Sequence, residues 1–408
     1  MKLKKINMTV QIMIAMVLGV VVGAIFKEKT QGVKLLGDIF LRLIQMSIIL
    51  LVMGQIIEAV GSLNPKELGK QGIKVIILFL ITSFSAALFG ILFGIIFKPG
   101  NGINLNSLSN VTKIDTGSIG SVADSILGFF SSNVIKSMAD GVIVQVILFS
   151  IIFGVALSYI RIEKENSKLL QIIIEFNQVI LRMISIIMKI APIGIFSLIA
   201  STIGKIGISV ILPLSKYLGV YGLATFIYLA AGFIIVSIYC RINIRKLIKG
   251  MTQMSLIALA TTSSAVTLPT EMKDAREKLG IGEKVTKLVL PLGMTLNSNG
   301  SAMHMAITIV TIAQIYNVNY SSGQYLFIAA LATLVSLANA VVPGAGLVSL
   351  AIIVPQMGLP MEAIALFAGV EWFVGMLRTI LNVDSDTFTA LIVAKSEGEI
   401  DYRVYNQY

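Results

Sequence analysis

Charged residues are scarce in this chain: of 408 residues, 13% are Asp, Glu, Lys or Arg, and 56% are hydrophobic. Soluble domains contain about 25% charged residues, so the composition excludes a soluble protein. Strand-like alternation of apolar and polar residues is also missing, whereas apolar runs of about 18 or more residues recur. The sequence therefore predicts an all-α polytopic membrane protein.

Cysteine and histidine are limited to one residue each, Cys240 and His304. A single cysteine cannot form an intramolecular disulfide, and the sequence contains no cluster of metal ligands. No Ser-His-Asp set and no Gly-rich phosphate loop in a suitable context can be found, so neither an enzyme nor a cofactor is expected. The net charge of +11 comes mainly from loops between apolar runs. We therefore expect a lipid bilayer, not a nucleic acid, as partner.

Six apolar runs predict membrane spans near residues 7–26, 35–60, 73–97, 141–160, 169–200 and 208–240. The polar stretch 99–140 predicts an extramembrane loop, with a short helix in part of 121–140. Lys and Arg concentrate at the N-terminus and in three loops, 61–74, 161–168 and 241–249. We expect the protein to lie in the cell membrane. The positive-inside rule places these loops, and both chain ends, in the cytoplasm. The Lys-containing loop 27–34 is a minor exception, and no cleavable signal peptide is expected.

Two later segments, about 250–283 and 324–359, are interrupted by polar or small residues and proline. The first contains TTSSAVTLPTEM, and the second contains SLANAVVPGAG. In each, two short apolar arms flank a tip, and neither arm is long enough to span. Such re-entrant hairpins are tolerated where they line a cavity, and paired interrupted segments indicate a transporter binding site. A Ser/Thr helix-packing motif is the alternative interpretation of the first tip.

The last spans also contain polar residues. NSNGS at 297–301 should break a helix and free carbonyl groups that, with Asn side chains, suit a small cation. In the last span, 362–395, Arg378, Asn382 and Asp386 share one helix face. Arg378 suits a carboxylate and Asp386 suits a cation, which predicts cation-coupled uptake of an anion. An internal Arg–Asp ion pair, or a packed kink at NSNGS, is the alternative.

These motifs resemble those of the dicarboxylate/amino acid:cation symporter family, which has the glutamate-transporter fold. The family's serine-rich hairpin tip resembles TTSSAVTLP, its NMDGT motif resembles NSNGS, and its last-helix pattern resembles GMLRTILNVDSD. The resemblance implies eight transmembrane helices plus two re-entrant helical hairpins, an elevator mechanism and a homotrimer. It also implies a static scaffold formed by residues 1–72 and by the helices within 99–207. The segment 99–207 also contains the extramembrane loop. A moving transport unit would comprise 73–98 and 208–408.

The resemblance also assigns roles to residues. It implies substrate contacts from Ser263, Ser264, Val342, Gly344, Arg378 and Asn382. It implies cation contacts from Gly293, Asn297, Asn382, Asp386, Thr82, Ser83, Ser336 and Asn339, with Leu337 beside them. The coupling ion would be Na⁺ or H⁺.

Three positions depart from the family pattern. Gly375 replaces the aspartate that binds a substrate amino group, and an ammonium without that partner loses about 1.5–3 kcal/mol. This favours a dicarboxylate such as succinate, fumarate or malate over glutamate or aspartate. Asn299 replaces the acid of NMDGT, and Phe79 replaces a tyrosine near Thr82. Both changes favour fewer sodium ions or proton coupling.

Several alternatives remain open from the sequence. The substrate could be an acidic amino acid or cystine, and the protein could be a substrate-gated anion channel. We expect Glu371 to form a structural salt bridge, and His304 to be a hydrogen-bonded packing residue. Asp384 points away from the Arg378 face and could pair with a base or join the cation site.

Overall fold

The computed structural model describes residues 8–62, 65–101, 130–164, 168–206, 211–337, 345–368 and 370–407. Most of these residues are helical, and the β pairing among them is a single bridge between Ile281 and Ile400. Short 3₁₀ segments occur at Lys27–Val33 and Met361–Ala363. The α-helices are α1 (Met8–Phe26), α2 (Lys34–Gly61), α3 (Pro65–Phe97), α4 (Val134–Ala139), α5 (Ile143–Glu163), α6 (Leu169–Met188), α7 (Ala191–Ile206), α8 (Ile211–Cys240), α9 (Ile244–Thr261), α10 (Ser264–Glu277), α11 (Glu283–Leu296), α12 (Asn299–Ile315), α13 (Ser322–Ser336), α14 (Ala345–Gln356), α15 (Ile364–Ala368), α16 (Glu371–Glu397) and α17 (Tyr402–Gln407).

Several helices can cross a membrane. Within the described residues, four stretches are long and apolar enough: Gly72–Phe97, Gln145–Glu163, Leu169–Ile187 and Leu214–Cys240. Many of their outward side chains are large, apolar and exposed, as lipid-facing residues are. The predicted all-α polytopic class is confirmed, and α4 falls where a short helix was expected. The count of eight spanning helices stays a prediction.

Two predicted spans are broken. The run 169–200 is not one helix, because α6 ends at Met188 and α7 begins at Ala191. The N–H groups of Lys189 and Ile190 donate to carbonyls three residues back at 3.1 Å, which closes α6. Pro192 has no N–H and therefore suits the first turn of a new helix.

The last span is also discontinuous. The segment Met361–Ala368 and helix α16 meet at an angle of 85°, where a straight helix from 362 to 395 was expected. The sequence at the break, AGVEW, contains a glycine, which lowers helix propensity. Arg378, Asn382 and Asp386 all lie on α16, after this break.

The helices pack as two groups. In one group, α1 packs on α7, and α2 packs on α5, α6 and α7. In the other, α3 packs on α12 and α13, and α16 packs on α8, α9, α11 and α12. Gly90 and Gly94 let α3 approach α12 closely, since an added Cβ would lie 2.8 Å from Met303 O and from Val310 Cγ1 respectively. The groups meet where α14 contacts α2, α13 contacts α5 and α15 contacts α7.

The C-terminal segment, residues 399–407, packs on the ends of α9 and α10 that lie away from Thr262 and Ser263; we call this contact the C-terminal clasp. Gly282 N–H donates to Glu399 O, and Asp401 N–H donates to Gly280 O, both at 2.8 Å. In α17, Tyr405 Oη donates to Asn243 O at 2.7 Å. Burial raises the pKa of Tyr405 to about 12, so its hydroxyl remains a donor at neutral pH.

Candidate functional site

Helices α9 and α10 form a helical hairpin, which we call hairpin one. With 18 and 14 residues, the arms are about 27 and 21 Å long, too short for a hydrocarbon core of about 30 Å. Thr262 ends α9 in the left-handed region at φ 51°, and Ser263 caps α10 by accepting from Val266 N–H. Ser264 is the first residue of α10. The serines predicted at the tip are half-buried and lie where the two arms meet.

The NSNGS motif breaks its helix as predicted. Helix α11 ends at Leu296, Asn297 is extended at φ −106° and ψ 100°, and α12 begins at Asn299. Asn297, Ser298 and Asn299 are all buried. The break therefore turns amide side chains toward the interior of the second group of helices.

A buried polar cluster surrounds this break. Asn297 Nδ2 donates to Asp386 Oδ1 at 2.7 Å. Ser83 Oγ donates to Asn299 Oδ1 at 2.7 Å, and Thr82 Oγ1 lies 3.3 Å from the same oxygen. Asp386 Oδ2 is buried and has no hydrogen-bond partner among the described residues. Carboxylate, amide and hydroxyl oxygens are the ligands of a hard cation.

The predicted cation residues thus come together only in part. Gly293 lies against Asp386, where a Cβ would meet the carboxylate carbon at 2.5 Å. Asn382, one turn before Asp386, accepts from Gly300 N–H at 2.7 Å. Ser336 is buried at the end of α13 and donates to Thr333 O, and no described contact joins it to this cluster. Asn339, Val342 and Gly344 lie outside the described residues.

Arg378 forms an ion pair with Glu371 and not with Asp386. Its Nη1 lies 3.1 Å from Glu371 Oε1, and both side chains are largely buried. The same oxygen accepts from Gly346 N–H of α14 at 3.0 Å. The salt bridge expected for Glu371 is therefore confirmed, and the alternative Arg–Asp pair is wrong. Glu371 links the arginine to the second interrupted segment.

Gly375 lies beside this guanidinium. A Cβ added to Gly375 would lie 3.8 Å from Arg378 Nη2 and 3.8 Å from Thr262 Cγ2. One face of the arginine is therefore directed to Gly375 and to the tip of hairpin one. The arrangement can bind an anion, and the position opposite the arginine contributes no acid to hold an amino group.

Sequence reasoning missed a set of contacts between hairpin one and α16. Glu271 is 1% exposed and accepts from Thr387 Oγ1 at 3.0 Å. Asp384 forms no ion pair with a base among the described residues; Ser255 Oγ donates to its Oδ1 at 2.7 Å. The signal was available: Thr267, Glu271 and Ala275 form a buried i, i+4, i+8 stripe on an arm that otherwise looks charged and exposed.

His304 is buried, and its ring lies 5.9 Å from the ring of Tyr221. Neither of its nitrogen atoms has a hydrogen-bond partner among the described residues. It is a packing residue as expected, but the expected hydrogen bond is wrong. No group of three or more His, Cys, Asp or Glu in the described part of the chain is placed to hold a metal.

Spanning helices, a helix broken at a buried polar cluster and a buried arginine beside a helical hairpin are typical of a membrane transporter and not of an enzyme. Comparison with known proteins agrees. The model of the sodium:dicarboxylate symporter family matches residues 8–396. The chain belongs to the sodium:dicarboxylate symporter family.

Named relatives cover nearly the whole chain. The chain is 32% identical to a proton/sodium-glutamate symport protein of Bacillus caldotenax, over 100% of this chain and 98% of that protein. It is 32% identical to a proton/glutamate-aspartate symporter of Bacillus subtilis, over 95% and 94%. It is 31% identical to a C4-dicarboxylate transport protein of Bacillus subtilis, over 98% and 96%.

Proposed function

We propose that this protein is a secondary active symporter that takes up a small dicarboxylate or acidic amino acid together with Na⁺, H⁺ or both. The observation that supports this most directly is the buried Arg378 beside Gly375 and the hairpin-one tip. A guanidinium in such a site binds a carboxylate strongly, because water competes poorly there. Asn382 and the serines at 263 and 264 would complete the substrate site.

The substrate class is a dicarboxylate without an amino group. Gly375 contributes no acid where an ammonium would need one, and an unpaired buried ammonium is costly. Relatives of similar identity are named for glutamate and for C4-dicarboxylates, so their names do not decide between the two. Glutamate, aspartate or cystine is the alternative substrate.

A coupling Na⁺ would bind at the polar cluster of Thr82, Ser83, Asn297, Asn299 and Asp386. The cluster has one carboxylate, since Asn299 is an amide and Phe79 has no side-chain oxygen. One carboxylate compensates one positive charge, which supports fewer sodium ions than an acidic residue at 299 would permit. Relatives named for proton or sodium coupling are consistent with either ion.

Transport would follow an elevator mechanism. The second group of helices, α3 and α8–α16, would move as the transport unit against the first group, α1, α2 and α5–α7. Ser336 and Asn339 would contribute to a cation site at the second interrupted segment, and Val342 and Gly344 would contact the substrate. We propose a homotrimer in the cell membrane with both chain ends in the cytoplasm.

The test is accumulation in liposomes that contain the purified full-length protein. Labelled succinate and labelled aspartate are supplied outside, with an imposed Na⁺ gradient, pH gradient, both or neither. A symporter concentrates its substrate when a coupling gradient is present. An anion channel only brings the internal substrate concentration to the external one. If no substrate accumulates above the external concentration, the proposal is contradicted.

Two variants localise the binding. Arg378→Ala should weaken substrate binding by about 100-fold, since losing one partner of a buried charge pair costs about 2–5 kcal/mol. Arg276→Ala is the matched control, because Arg276 is half-exposed and lies 3.5 Å from Glu283. Asp386→Asn should abolish cation dependence at the cluster. Unchanged uptake in Arg378→Ala would mean that the anion binds elsewhere.

A further inference from the structure

Glu271 is a buried acid that has no counter-ion among the residues that the structure describes. It lies in α10, the second arm of hairpin one, and Thr387 Oγ1 donates to its Oε1 at 3.0 Å. The charge that acts on it is that of Asp384, which is another acid. An unpaired carboxylate is expensive to bury inside a membrane protein, and such residues mark ion or proton pathways.

In the described part of the chain, the elements packed on α10 place no basic side chain against Glu271. Helix α16 presents Asp384 and Asp386, and the charge of Asp386 also interacts with Glu271. Helix α9 presents the neutral residues Met254 and Ser255. The buried face of α11 is formed by Val285, Thr286, Val289, Leu290, Gly293 and Leu296. On α10 itself, Lys278 is already bound to Asp274 at 2.9 Å.

The hydrogen bonds around Glu271 accommodate it with or without a proton. The single hydroxyl hydrogen of Thr387 can go to Glu271 Oε1, or to Met254 Sδ at 3.6 Å. With a carboxylate, Thr387 donates to Glu271. With a carboxylic acid, Glu271 donates to the Thr387 oxygen and the threonine hydrogen turns to the sulfur, which is a weak acceptor. Neither state leaves the carboxyl group without a partner.

Hairpin one connects this acid to the substrate site. Ser264 at the tip and Glu271 are separated by two turns of one helix, about 10 Å. Movement of this arm away from α16 would break the Thr387 contact and expose Glu271 to water, where it can exchange a proton. Closure of the arm on a substrate would bury Glu271 again among other acids, where the neutral form is favoured.

We propose that Glu271 is the proton-binding residue through which this transporter couples uptake to H⁺. The inference rests on the proposed symport function and names the coupling ion within it. One proton binds a carboxylate oxygen of Glu271 from the outer solution and leaves the same oxygen to the inner solution. His304 is the weaker candidate, because a proton there would place a second positive charge within reach of Arg378.

The experiment compares the wild type, Glu271→Gln and Glu277→Gln in liposomes loaded with equal Na⁺ on both sides. Glu277 lies on the same helix, is exposed and pairs with Lys273, so it is the matched control. A gradient of about one pH unit supports about tenfold accumulation of labelled succinate or aspartate per coupled proton. The wild type and Glu277→Gln should reach that level. Glu271→Gln should not accumulate substrate but should still exchange internal for external substrate, because exchange requires no net proton movement.

Accumulation by Glu271→Gln under the pH gradient overturns the proposal. If that variant fails to bind substrate, Glu271→Asp decides, since it keeps a carboxyl group with a shorter reach. Its uptake should remain driven by the pH gradient with a displaced pH profile, and an unchanged profile overturns the proposal. If, in a parallel assay, a Na⁺ gradient drives accumulation by the wild type and the pH gradient does not, the role of Glu271 is rejected while symport stands. If the wild type accumulates neither acid with either gradient, both proposals fail.

Discussion

Glu371 Oε1 accepts hydrogen bonds from two helices of the proposed substrate site, from Arg378 Nη1 of α16 at 3.1 Å and from Gly346 N–H of α14 at 3.0 Å. The carboxylate therefore occupies one side of the guanidinium that a substrate anion needs. It also ties the start of α14 to α16. Binding of a substrate carboxylate must either share Arg378 with Glu371 or displace it.

Glu371→Gln should lower the stability of the ligand-free protein by about 2 kcal/mol, because Arg378 loses its buried counter-ion while an amide oxygen can still accept. Substrate binding should become about tenfold tighter, since a competing negative charge is gone. Thermal unfolding with and without succinate measures both effects. Glu362→Gln is the control, as Glu362 is 58% exposed and only 3.9 Å from Lys34. Weaker binding in Glu371→Gln would show that Glu371 positions the arginine instead of competing with the substrate.

Gly375→Asp should change substrate selectivity toward amino acids. The new Cβ has ordinary contact distances of 3.8–3.9 Å to Arg378 and Thr262, so the carboxylate can be accommodated and can bind an ammonium. The ratio of aspartate to succinate affinity should rise about tenfold or more. Gly375→Ala, which adds the carbon without the charge, is the matched control. Equal ratios in the two variants would remove Gly375 from the specificity site.

Asn299→Asp should create a stronger dependence on sodium. Asn299 is buried and accepts from Ser83, so an aspartate there adds a second carboxylate to the cluster. Without Na⁺ the variant should be several kcal/mol less stable than the wild type, and Na⁺ should restore most of the loss. Thermal unfolding in NaCl and in choline chloride separates sodium binding from ionic strength. Identical stability of the variant in both salts contradicts a cation site at this cluster.

Tyr405→Phe should destabilise the C-terminal clasp by about 1–2 kcal/mol, because Asn243 O loses its donor in a buried position. Tyr402→Phe is a fitting comparison: Tyr402 also donates to a backbone carbonyl, that of Cys240 at 2.9 Å, but is 36% exposed. Its loss should be smaller, since water replaces the hydroxyl. Thermal unfolding of the two variants gives the comparison. An equal loss would show that burial does not set the contribution of these tyrosines.

The sequence predicted the helices best where apolar runs are long and uninterrupted, as in α1, α2 and α8. It failed at Lys189–Ile190, because the apolar run continues through the break and only Pro192 indicates a new helix. The helix break at NSNGS was predicted correctly, because amide side chains and glycine are rare in a membrane span. Glu371 was placed correctly by its seven-residue distance from Arg378. Its bond to Gly346 depends on how α14 packs, which no local pattern encodes.

Glu271 illustrates the other limit of sequence reasoning. It lies among Lys273, Asp274, Arg276 and Glu277, and a run of alternating charges usually indicates a solvated surface. Glu271 and Asp274 are both buried, but Asp274 pairs with Lys278, whereas Glu271 packs against Thr387 of α16. The helical spacing of Thr267, Glu271 and Ala275 marks a face that can be buried, but the partner of Glu271 on α16 follows only from the tertiary packing.

The close approach of α3 to α12 has a consequence for biogenesis. Thr82 and Asn297, which contact each other across this interface, are 215 residues apart in the chain. At about 5–20 residues per second, the ribosome needs roughly 10–40 s to synthesise that interval. During this time α3 is in the bilayer or the insertion machinery, where Ser83 lacks its partner Asn299 and the Gly90–Gly94 surface is uncovered. We therefore expect α3 to be the span that depends most on holding by the translocon or a membrane chaperone until α12 is made.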